Sequence, residues 1–139
     1  MAAFVPFDCF ALDLGKGIHN FETDTLKIYL SNVAPNVALD TVYGAPADLA
    51  TGGGYVAGGL SLGVNAWTQA DGLASLVAGG NVVFGATTGF GPFRYAILYN
   101  DTAAAKNLIG YWDNGSAVSV AAGKTFEVDF SPQVLTLEF

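Results

Sequence analysis

Over the first twenty residues apolar positions recur at spacings of three and four. In "PFDCFALDLGKGI", Phe7, Phe10, Leu14 and Ile18 share one helical face, with Pro6 tolerated near the first turn and Gly15 and Gly17 as stop signals. The pattern predicts a short helix closing one end of a core. The period then becomes two: in "TLKIYLS", Leu26, Ile28 and Leu30 alternate with Thr25, Lys27, Tyr29 and Ser31, as in a half-buried strand. "NVAPN" turns the chain. Residues 37–54, irregular and ending in a triple glycine, read as a long loop with one helical turn at 47–50.

Beyond Tyr55 strands and turns alternate quickly. Leu60, Leu62 and Val64 fall on one face, "ADG" at 70–72 is a turn, and "LASLVAGG" and "NVVFGAT" are short strands. "FRYAILYN" and "LIGYWD" pair as a hairpin, and "AVSVAAG", "TFEVDF" and "VLTLEF" complete the set. Tyr95, Ile97 and Tyr99 point one way, Ala96 and Leu98 the other, so this strand is expected at the centre of a sheet with both faces apolar. Phe126, Val128 and Phe130 are expected inside, opposite Glu127 and Asp129 in solvent. Asp71, Asp101, Asp113 and the Asn114-Gly115 pair are expected in turns. Short strands punctuated by glycine indicate a mainly β chain: an antiparallel β-sandwich, jelly-roll-like, with a short N-terminal helix, in a single domain over 1–139. "MAAFVPF" stands outside the β pattern, so 1–6 is expected either as an N-terminal arm or as a cap on the domain's own core.

Composition changes this picture in one respect. Hydrophobic residues make up 52% and charged residues 12%, too few charges to keep every face wet, so an apolar contact surface is expected. Net charge is -7 and the five cations are scattered, which argues against a nucleic-acid groove. No apolar run approaches the ~18 residues of a membrane helix. Asp8 and Asp13 stand where the core of a signal peptide would lie, so cytoplasmic synthesis is expected.

Candidate chemistry is sparse. His19 is the only histidine, beside a helix end and far from any serine elbow; a capping or packing role is expected. One histidine, one cysteine (Cys9) and dispersed carboxylates give no metal-ligand spacing, and no cofactor is expected. "GGGYVA" matches a dinucleotide fingerprint only superficially, lacking the helix that would meet a pyrophosphate.

The succession "GIHNFETDTLKIYLSNVAPN", "GGGYVAGG", "GPFRYAILYNDTAAAKNLIGYWDNG" and "VAAGKTFEVDF" resembles a group of small tailed-phage virion structural proteins over nearly the whole chain. Its size is similar to that of the capsid cement, or decoration, proteins of short-tailed phages. The resemblance implies a non-enzymatic homodimer that binds the major capsid protein on the outside of the shell, with neither nucleic acid nor membrane as partner. It implies no catalytic residues. Phe4, Pro6, Phe7 and Phe10 are the candidate capsid contacts. Two other readings stand beside it: a carbohydrate- or host-binding β-sandwich module on the virion surface, and a tail-associated virion protein.

Overall fold

A computed structural model describes residues 3–63, 65–129 and 133–138. The chain is mainly β, with antiparallel sheets and, among the described residues, one short helix near the N-terminus. After strand β1 (Val5–Pro6) and helix α1 (Asp8–Gly15) come β2 (Leu26–Ser31), β3 (Leu60–Ser61), β4 (Asn65–Ala70), β5 (Leu73–Ala78) and β6 (Val82–Gly85). The long strands β7 (Gly89–Asn100) and β8 (Leu108–Ala121) follow, then β9 (Thr125–Val128) and β10 (Gln133–Glu138). They form a five-stranded sheet in the order β1-β8-β7-β2-β3, a three-stranded sheet β10-β5-β4 and a pair β6-β9.

The strand expected at the centre lies there. β7 runs between β8 and β2, and Ile97 and Leu98 are both fully buried. One buried cluster joins Ile28 and Leu98 of the five-stranded sheet to Leu76 and Leu135 of the three-stranded sheet and Phe84 and Val128 of the pair. A second, smaller cluster covers the opposite face of the large sheet with Phe7, Tyr29, Ile97, Tyr99 and Leu108. The turn at 70–72 is a tight hairpin: Asp71 and Gly72 both have positive φ (52° and 80°), as the primed turn matching strand twist requires.

Several expectations need correction. β2 is not half-buried: Tyr29 and Ser31 are as inaccessible as Leu26, Ile28 and Leu30, because the second cluster covers what periodicity marks as the wet face. Residues 47–50 form no helical turn. "LIGYWD" and "AVSVAAG" are one strand, and Asn114-Gly115 is no hairpin turn but a bulge inside it. Tyr95 pairs with Asp113 and Phe93 with Val118, so the extra residues loop out of β8, and Gly115 takes φ 89° there. Asp113 therefore stands in a strand, not a turn. Ile18 lies beyond the helix and is partly exposed. The placement of Val64 on one face with Leu60 and Leu62, and the inward placement of Phe130, fall outside the described residues. No helix among the described residues is long and apolar enough to cross a membrane.

Candidate functional site

The N-terminal segment is built onto the sheet. Val5 pairs with Tyr111 and Pro6 with Gly110, so residues 5–6 form the edge strand beside β8. Phe4 packs on Trp112 with ring centroids 5.1 Å apart. Its ring fills the space over Gly110, where an added Cβ would come within 2.1 Å of Phe4 Cζ. The described part of the segment read as an arm is thus held within the fold; Met1 and Ala2 lie outside the described residues.

Phe7 continues this attachment, its N–H donating to the Ile109 carbonyl (3.1 Å), and stands extended at the start of α1 (φ -75°, ψ 150°). From there the helix turns its side chains to two different cores. Phe7 packs against Tyr111 in the second cluster, and Phe10 against His19 and Phe21 in the first. Between this segment and β10 runs an apolar groove of about 1100 Å³. Phe4, Pro6, Phe7 and Phe10 all line it, as do Ala11 and Leu14, and Gln133–Leu137 form its other wall. Sequence reasoning singled out the aromatic wall; nothing in the sequence pointed to β10 as its partner. Among the described residues Asp8 is the one ionisable side chain in the lining.

A second constellation escaped sequence reasoning altogether. Asp48, in the long loop, accepts hydrogen bonds from the hydroxyls of Tyr43 and Tyr55 (2.5 Å each) and from the Gly58 N–H (2.6 Å). The Tyr55 hydroxyl accepts in turn from Leu30 N–H on β2 (3.0 Å), while Tyr29 donates to the Pro46 carbonyl (2.8 Å) and Tyr99 to that of Gly58 (2.7 Å). These bonds fasten the irregular loop to the sheet. Burial pushes the phenols of Tyr29, Tyr43 and Tyr55 well above the ordinary tyrosine range, with the Asp48 carboxylate adding to the shift, and Tyr99 rises to about 12. A phenol so placed is a hydrogen-bond donor and stays protonated.

His19 packs between Phe10 and Phe21, each 5.7 Å away by ring centroid, and its Nδ1 lies 3.0 Å from Asn100 Nδ2. Burial lowers its pKa, opposed by Asp13 and Asp24. Asn100 is itself fully buried: its amide donates to Asp24 (2.7 Å) and its carbonyl accepts from the Thr102 and Ala103 N–H groups. The expected packing role of His19 agrees with this environment. Cys9 Sγ sits 3.7 Å from the Leu108 carbonyl oxygen, and its thiol is pushed up first by burial and then by Asp13. Among the described residues no group of three or more His, Cys, Asp and Glu is arranged to hold a metal ion. Asp101 bridges Lys27 and Lys106, and Asp113 binds Arg94 through both carboxylate oxygens (2.8 and 3.1 Å). Comparison of the chain with family models, with curated proteins and with solved structures finds no match.

Proposed function

We propose that this chain is a virion structural protein: a capsid cement protein that binds the outer surface of a tailed-phage shell and stabilises it against internal DNA pressure. The observation that carries this reading is the groove, a built apolar recess on which all four candidate contact residues converge. A charged share of 12% suits a surface that is covered in use. Two long central strands suit a part that must resist deformation, since a compliant bridge lets the bridged subunits separate. In this reading the three sheets wrap one core in a jelly-roll-like manner and the protein acts as a homodimer, without enzymatic activity. A dimer spans two capsid subunits at once, gains avidity from the linked second contact, and uses a self-complementary face about a two-fold axis.

The test is to prepare particles lacking this protein and to heat them or lower the ionic strength. Depleted shells are expected to release DNA at lower temperature than complete ones, and added protein to restore the difference. Equal stability of the two, or confinement of the protein to the tail, refutes the reading.

A further inference from the structure

We infer that the groove between α1 and β10 receives an extended peptide segment, which adds to the free edge of β10 as a strand. Within a strand, successive side chains point to opposite faces, so a cavity against one face touches every second residue. Here five consecutive residues, Gln133–Leu137, line the cavity, which places it along the edge of β10. That edge is open: β10 pairs with β5 on one side, and no strand among the described residues pairs with the other.

The remaining edges differ. β1 and β3 are two residues long, and β1 contains Pro6, so both are blunted against further pairing. β10 has six residues, neither proline nor lysine, and regular register with β5 over Leu135–Glu138. β6 and β9 are shorter edges of four residues each, and β4, an equally long edge, contributes no described residue to this groove. An exposed edge of this kind is a template for an incoming strand.

The opposite wall sets the side chains of that strand. Ala11 and Leu14, one helical turn apart, present the accessible part of this wall to alternate residues of the occupant, while Phe7 and Phe10, 2% and 4% exposed, are held mainly in the two core clusters. Among the described residues Asp8 is the only charge in the lining and is exposed, so the segment carries a lysine or arginine at that end and is otherwise uncharged. A second copy of this chain fits poorly, because its β10 arrives with β5 already paired to it, and α1 stands opposite the edge where that sheet would have to enter. The occupant is therefore an extended segment of another protein. Its assignment to a capsid subunit rests on the cement reading; its chemistry does not.

The probe is a synthetic alternating valine–threonine peptide with one terminal lysine, added at millimolar concentration to the isolated protein. Strand addition protects alternate amides between Val134 and Glu138 from hydrogen exchange, those that point away from β5. An analogue N-methylated at alternate backbone positions keeps the side chains and is expected to give no protection. Ala11→Trp, at an exposed helix position, fills the groove and is expected to abolish protection without lowering the melting temperature. Absence of peptide-induced protection in the unmodified protein overturns the inference, as does equal protection by the N-methylated analogue. Depleted shells as stable as complete ones, with β10 protection by the peptide intact, defeat the cement reading alone. Shell binding that leaves the β10 amides unprotected defeats the groove alone.

Discussion

On one face of the five-stranded sheet, Ile28, Ala96 and Leu98 meet aliphatic and phenyl side chains from the other two sheets. On the other face, Tyr29, Ile97 and Tyr99 meet Phe7, Leu108 and Tyr43 beneath an irregular loop. The first face is closed by area: its stabilisation follows the apolar surface removed from water, roughly 25 cal/mol per Å². The second is closed by direction as well. Tyr29, Tyr43 and Tyr99 each add a ring to this cluster and a hydroxyl to a named acceptor. Asp48 gathers the Tyr43 hydroxyl, one backbone N–H and the hydroxyl of Tyr55, whose ring lies in the first cluster. A loop with no strand or helix of its own can thus cover a sheet, provided its backbone is tied at fixed points.

The largest test of this contrast is Ile97→Asp on the loop-covered face. It places a carboxylate without a partner where exposure is 0%, at several kcal/mol, and abolishes a cooperative thermal transition. Leu98→Ala on the opposite face leaves a cavity and lowers global stability by about 2–5 kcal/mol, read from denaturant melts. Asp48→Ala strips the acceptor from Tyr43, Tyr55 and Gly58 and removes about 1–3 kcal/mol. The two variants separate by hydrogen exchange. Asp48→Ala speeds exchange in residues 43–58 ahead of global unfolding, whereas Leu98→Ala speeds the slowest core amides.

Much of the sheet was legible because its signals are local. Leu26, Ile28 and Leu30 announce β2 by alternation, and Asp71-Gly72 announce a turn by their tolerance of positive φ. What periodicity cannot report is what lies over each face. Tyr29 and Ser31 read as wet because the loop that buries them has no pattern. Asn114-Gly115 reads as a turn because the dipeptide serves hairpins and bulges alike; the register of β7 decides between them. The groove was half-legible. Phe4, Phe7 and Phe10 stand out near the N-terminus, but β10 lies at the far end of the chain, and only tertiary folding sets it opposite them.

Titration sharpens the comparison further. Raised phenol pKa values mean that the folded state keeps its protons longer than the unfolded chain. Their stabilisation is therefore full below about pH 10 and is lost as pH rises through the folded values, which for Tyr99 is about 12. Ultraviolet titration of tyrosinate is expected to show ionisation of the loop-side tyrosines coinciding with unfolding. His19, on the apolar side, behaves oppositely. Burial lowers its pKa, so the fold favours the neutral ring, and stability present above about pH 6.5 is lost as pH falls towards the folded value. His19→Phe is expected to flatten the melting temperature between neutral and mildly acidic pH, the smallest of these effects.

The bulge in β8 also bears on how the protein ages. Asparagine followed by glycine is the dipeptide most prone to deamidate, because the glycine nitrogen can attack the asparagine side-chain carbonyl and close a succinimide ring. Here that nitrogen donates its proton to Asp113 Oδ1 at 2.8 Å, and the Asn114 amide donates to the Ser116 carbonyl at 3.1 Å. Both partners in the ring closure are engaged elsewhere, so the reaction waits on local opening of the bulge. Conversion of Asn114 to aspartate and isoaspartate over weeks of storage then acts as a chemical clock for that opening, slow in the folded chain and fast in the denatured one.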